Sequence, residues 1–218
     1  MPWITEHWLE IFGALAGIIY VLLEIRQNIW LWPVGIVTSS VYIIVFFTSK
    51  FYADMSLQVY YLVISFYGWY AWSYGTLNHE PKTLNQQPET SYQQPATSNQ
   101  QPETLHPTPT PLRLAVKLAG VYIILHAAMW YILANHTDSP VAGWDSFTTA
   151  LSVIATWMLA RKYIEHWILW IIVNIVSMIL YIYKGLYPTT ALFLVYTLMA
   201  FVGYREWRRD IKINEISS

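Results

Sequence analysis

Seven stretches of this chain are long enough, and mostly apolar enough on every face, to span a lipid bilayer. A hydrocarbon core of about 30 Å takes about 20 apolar residues per helix. Such stretches run near Trp8–Ile25, Ile29–Ser49, Ala53–Gly75, Leu114–Ala134, Trp144–Ala160, Trp167–Tyr183 and Pro188–Tyr204. A soluble helix keeps one polar face, and most of these keep none. The expected fold class is therefore all-α: a polytopic membrane protein of seven transmembrane helices. Composition agrees, since only 11% of the 218 residues are charged, against roughly 25% in soluble domains. The 12 Trp and 17 Tyr suit aromatic belts or an aromatic-lined cavity. The first stretch has neither the basic flank nor the small-residue cleavage site of a removable leader, so it is expected to remain as a span.

Tight turns join most spans, and one connection breaks the pattern. Thr76–Pro111 carries a tandem of LNQQPET (Leu84–Thr90), SYQQPAT (Ser91–Thr97) and SNQQPET (Ser98–Thr104). The prolines Pro88, Pro95 and Pro102 exclude a helix despite the seven-residue period. With little apolar material to bury, the segment is expected to be a disordered tether. The expected organisation is residues 1–75 as a first three-helix repeat and 76–112 as the Gln/Pro/Thr-rich cytoplasmic tether. Residues 113–135 form a linking helix, 143–207 a second three-helix repeat and 208–218 a cytoplasmic tail.

Basic residues set the orientation. With strict alternation, one side collects Lys50 and Lys184, and the other collects Arg26, Lys82, Arg113, Lys117, Arg161, Lys162, Arg205, Arg208, Arg209 and Lys212. The positive-inside rule then puts the N-terminus outside and the C-terminus in the cytoplasm. The halves also resemble each other. Shifted by 135 positions without a gap, Arg26 meets Arg161, Trp32 meets Trp167, Tyr61 meets Tyr196, Gly68 meets Gly203 and Trp72 meets Trp207. Two triplets separated by a single linking helix share one orientation. This parallel 3+1+3 repeat is the plan of fused SWEET-type transporters, whose substrate site lies near the midplane between repeats.

Polar and aromatic residues at helical spacing mark the candidate ligand site. Gln58 and Tyr61 share one face of the third span; Trp167, Trp170, Asn174 and Tyr181 share one face of the sixth; Trp32 opens the stripe of the second. Gln58 and Asn174 lie well inside their spans, where polar groups are costly. Each carboxamide offers two donors and one acceptor. Beside indole faces, they suit a flat heteroaromatic ring that is stacked and read at its edge. Trp8, Trp30, Trp144 and Trp207 read instead as belt residues, the Ser/Thr stripe of the fifth span as a packing surface, and His126 as a packing residue. Glu165 is placed to pair with Arg161 one turn away, and no buried acid–His pair is evident. The chain has no Cys, which excludes disulfides and thiolate metal sites. A net charge of −1 gives no field for nucleic acid. No HExxH, Walker or dinucleotide glycine pattern occurs, so no metal or cofactor is expected and an enzyme is disfavoured.

Several motifs resemble the PnuC family of vitamin transporters. They are WPVGIV (Trp32–Val37), KFYADMSLQVYY (Lys50–Tyr61) and YGWYAW (Tyr67–Trp72), then RKYIEHWILWIIVN (Arg161–Asn174), KGLY (Lys184–Tyr187) and GYREW (Gly203–Trp207). The resemblance covers the chain apart from the tether. It implies seven helices in a three-one-three plan, a bacterial inner-membrane location and facilitated diffusion of an unphosphorylated water-soluble vitamin. A cytoplasmic vitamin kinase then traps the product. It also implies binding positions at Trp167, Trp170 and Asn174. Glu165-His166-Trp167 departs from a Glu-Asn-Trp associated with the family, which puts the role of position 166 in doubt. Arg26–Gly35 and Lys184–Trp207 look most like the thiamine branch, so thiamine is the expected substrate and nicotinamide riboside the alternative. A non-transporting membrane scaffold is the alternative of another class. The expected partners are the vitamin, the bilayer and the kinase by functional link; a homo-oligomer stays open.

Overall fold

A computed structural model describes residues 2–48, 52–74, 105–136, 141–183 and 185–217, with backbone alone at 2–11, 48, 52–54, 214, 215 and 217. Seven helices follow one another: α1 (Pro2–Ile25), α2 (Leu31–Thr48), α3 (Tyr52–Tyr74), α4 (Leu112–His136), α5 (Ala142–Ala160), α6 (His166–Tyr183) and α7 (Tyr187–Ser217). Each matches an expected span, because a run apolar on all faces is stable in lipid only with its backbone bonded internally. Among the described residues, α4, α6 and the Tyr187–Ile213 part of α7 are the helices long and apolar enough to cross a membrane by length and composition. Phe12–Ile25 and Leu31–Phe47 form shorter apolar stretches.

The turns after α1 and α5 are built alike. Gln27 and Lys162 both have positive φ, 50° and 54°. Asn28 N–H bonds Leu23 C=O at 2.8 Å and Gln27 N–H bonds Glu24 C=O at 3.0 Å; Tyr163 N–H bonds Met158 C=O at 3.0 Å and Lys162 N–H bonds Leu159 C=O at 2.9 Å. Both are Schellman closures with a non-glycine residue in the left-handed position. The two residues also meet, Lys162 Nζ donating to Gln27 Oε1 at 3.4 Å. Gln27 Nε2 then donates to Asp210 Oδ2 at 2.7 Å.

Close helix packing joins α2 with α3 and α1 with α2, and equally α6 with α7 and α5 with α6. The remaining pairs cross between halves: α1 lies on α7, α5 lies on α3, and α4 touches α5 alone. Among the described residues no close packing joins α1 to α3 or α5 to α7. The first helix of each expected triplet thus seats against the third helix of the other.

Two expectations, for the tether and for the C-terminal tail, need correction. The Gln/Pro tandem lies outside the described residues, but the stretch after it is docked. Leu105 is buried in the main core, Thr108 N–H bonds Lys162 C=O at 3.1 Å, and Ile164 N–H bonds Thr108 C=O at 3.1 Å. Glu165 accepts from the backbone N–H of Thr110 at 2.9 Å and from its hydroxyl. It serves this strap rather than Arg161, whose guanidinium lies over Trp157 at 5.2 Å. The second correction concerns α7, which runs on from Tyr204 to Ser217 where a tail was expected. Helix formers and the Glu206–Arg209 pair at 2.7 Å carry it.

Candidate substrate-binding site

A cavity of about 310 Å³ lies among α1, α2, α3, α6 and α7, with Thr156 of α5 at its edge. Its wall includes Gln58, Tyr61, Trp167, Trp170 and Asn174. Helical spacing accounts for the grouping: Trp167, Trp170 and Asn174 fall on one face of α6, and Gln58 and Tyr61 on one face of α3. Asn174 is buried. Neither its carboxamide nor that of Gln58 hydrogen-bonds another described residue. The indole N–H groups of Trp167 and Trp170 are buried and likewise have no acceptor among the described residues. Two carboxamides thus border the hollow without a partner among the described residues, which favours a polar ligand.

Two expected residues lie elsewhere. Trp32 does not line the cavity. It is fully buried against Trp72, ring centroids 5.4 Å apart and planes at 89°. Tyr181 is also off the wall and braces Phe193, which does line it, at 5.0 Å. Trp207 is no belt residue: it is fully buried, 5.8 Å from Trp167 and nearly perpendicular to it. Trp30 and Trp144 are exposed, as belt positions require. Thr149, Ser152 and Thr156 return their hydroxyls to carbonyls one turn back on α5, the usual economy of Ser/Thr in packed helices. His126 sits 3.2 Å from Ser146 Oγ and stacks on Tyr122.

Sequence reading misses an acid–imidazole pair. Glu24 closes α1 and lines the cavity, and its Oε1 is 3.0 Å from Nε2 of the fully buried His166. His166 Nδ1 is 2.6 Å from Tyr163 O. Trp207 Nε1 donates to the Glu24 carbonyl at 3.2 Å. The partners are 142 residues apart, so no local spacing signals them; the sole sequence hint is a histidine at a turn facing an apolar wall.

A hollow among apolar helices, with stacking faces and hydrogen-bonding edges, suits a carrier of small molecules. Residues 7–209 match the nicotinamide mononucleotide transporter family, and the chain belongs to that family. It is an integral membrane transporter of the PnuC type. The nicotinamide riboside transporter PnuC of Escherichia coli (strain K12) is 27% identical over 202 residues, 92% of this chain and 84% of that one. The riboflavin/roseoflavin transporter RibM of Streptomyces davaonensis is 22% identical over 93% of this chain and 87% of its own. A crystal structure of the vitamin B3 transporter PnuC shares the fold, with a TM-score of 0.68 at 21% identity over 95% of this chain and 83% of that one. These names give no support to the expected thiamine and back the alternative, nicotinamide riboside.

Proposed function

We propose that this chain is a uniporter for nicotinamide riboside in a bacterial inner membrane, with the N-terminus outside and the C-terminus in the cytoplasm. The riboside crosses by facilitated diffusion and is retained once a cytoplasmic kinase phosphorylates it. The observation that carries the reading is the cavity wall: two carboxamides beside two indoles. The nicotinamide ring is flat, bears a carboxamide of its own and has a fixed positive charge. Trp167 and Trp170 offer faces for the ring, and a cation over an indole gains about 0.5–2 kcal/mol depending on desolvation. Asn174 and Gln58 can each trade a donor and an acceptor with the ring amide.

Equivalent turns, equivalent indole–glycine contacts and the crossed pairs α1–α7 and α5–α3 support a duplicated fold. Alternating access in such a fold would move both crossed pairs together. Calorimetry of the purified protein against nicotinamide riboside, thiamine and riboflavin tests the substrate. Binding of the riboside with no heat from thiamine is expected; thiamine binding in its place overturns the substrate assignment and leaves the class intact.

A further inference from the structure

The cavity carries one acidic residue among its described lining, Glu24. Its surroundings fix how it holds a proton. Tyr163 O only accepts, so His166 Nδ1 at 2.6 Å carries hydrogen. In a neutral ring the other nitrogen, Nε2, is then a bare lone pair. It faces a carboxylate oxygen at 3.0 Å. Two acceptors do not sit at that distance without a proton between them. The contact therefore holds one proton, as imidazolium with carboxylate or as neutral ring with carboxylic acid, and the pair is neutral overall in both forms.

Position makes this pair part of the ligand site. His166 lies 4.7 Å from the Trp167 ring, and Trp167 lines the same cavity as Glu24. Trp207 packs on His166 at 4.7 Å and anchors the Glu24 backbone, so the carboxyl group is held rigidly. The other ionisable side chains lining the cavity are the phenols Tyr20 on α1, Tyr61 on α3 and Tyr196 on α7, uncharged at neutral pH. The basic residues of the α5–α6 turn are engaged elsewhere: Lys162 on Gln27 and the Trp72 ring, Arg161 on Trp157. Among the described lining residues Glu24 is thus the one carboxyl group that can answer a positive ring, beside the indole faces.

We propose that the Glu24–His166 pair reads substrate charge: a ring with fixed positive charge is held against the Glu24 carboxyl group, the end of the pair that lines the cavity, while the shared proton stays in the contact with His166 behind it. An uncharged ring of the same shape gains nothing from the pair. This inference rests on the proposed substrate.

The test compares nicotinamide riboside with its reduced dihydro form, which keeps carboxamide and ribose and loses the ring charge. Titration calorimetry measures both affinities. The wild type should prefer the oxidised form. Glu24→Gln should weaken the oxidised form roughly tenfold or more and leave the reduced form nearly unchanged. Glu24→Asp, a second variant should the first not fold, retains the charge and should retain the preference for the oxidised form. Equal affinity of the wild type for both forms, or equal loss of both in Glu24→Gln, overturns the charge-reading role and leaves the substrate standing. Binding of neither form overturns the substrate, and this inference with it.

Discussion

Trp32 and Trp167 occupy matching places in the two halves and do different work. Each opens a helix after a Schellman turn. Each lies on a glycine, Gly68 or Gly203, where an added Cβ would fall inside the indole. Each meets a tryptophan edge-on, Trp72 or Trp207, with planes at 89° or 87°. Both are buried in the core, yet Trp167 also borders the cavity and Trp32 does not. The neighbours make the difference. On α6, Trp170 and Asn174 line the hollow; at the matching places on α2 stand Gly35 and Ser39, which also line it. On α3 and α7 the matching pairs are Gln58 with Phe193 and Tyr61 with Tyr196, all on the wall. At the matching α2 and α6 positions one half supplies large reading groups and the other small residues that leave room for a ligand. The scaffold is alike where it must pack and unlike where it must bind.

Truncating the two indoles breaks the comparison most sharply. Trp32→Ala empties a closed core position, and loss of a buried large aromatic costs about 3–5 kcal/mol. Thermal unfolding in detergent should show that fall, with binding per folded molecule retained. Trp167→Ala should cost comparable stability, since that indole is buried as fully, and should in addition abolish riboside binding. Binding intact in both would mean that Trp167 serves the core alone.

The glycines test the same contacts from the other side. Gly68→Ala and Gly203→Ala each push a methyl group into an indole, an overpacking worth about 1–3 kcal/mol. Both should lower the unfolding temperature. Gly203→Ala alone should also weaken binding, because the displaced ring forms part of the wall. Gly68→Ala weakening the riboside just as much would place Trp32 in the site after all.

Asn174→Leu keeps volume and removes the carboxamide. Leaving a ligand's amide unanswered costs about 1–3 kcal/mol, so riboside affinity should fall roughly tenfold to a hundredfold with unfolding unchanged. Ser39→Ala, at the matching place, should alter affinity little. A reversed ranking would put the reading edge on α2.

The helices were legible because bilayer spans announce themselves by length and all-round apolarity. The α6 stripe and Gln58 were legible because a carboxamide deep in a span is rarely idle. Trp32 and Trp167 were not separable in sequence: identical residues at matching positions differ only in what the opposite half offers. The docked strap was hidden because one leucine, Leu105, is its apolar anchor in a Pro- and Thr-rich run, and its bonds come from backbone. Trp207 read as a belt residue because it stands beside basic residues at a helix end; its burial depends on α1 crossing to α7. The Glu24–His166 pair depends on that same crossing, together with the place it gives the start of α6.

The two turns supply the smallest and most specific contrast. Gln27 and Lys162 share backbone geometry and touch each other, but only Lys162 titrates. Burial pulls the Lys162 ammonium down from its usual 10.5 to about 8, partly opposed by the Asp210 carboxylate. A base with a folded value below its unfolded one favours the neutral form on folding. Its cost is therefore full below pH 8, where both states are protonated. Between about 8 and 10.5 the unfolded state binds more protons, so stability rises with pH across that window and levels off above it. Lys162→Met should remove the rise, leaving a flatter unfolding temperature from pH 8 to 10.5 than in the wild type. Gln27→Met should leave the rise in place, since the matching position carries no proton. Parallel curves for wild type and Lys162→Met would assign the pH response to another group and make the two turns equivalent in charge as well as in shape.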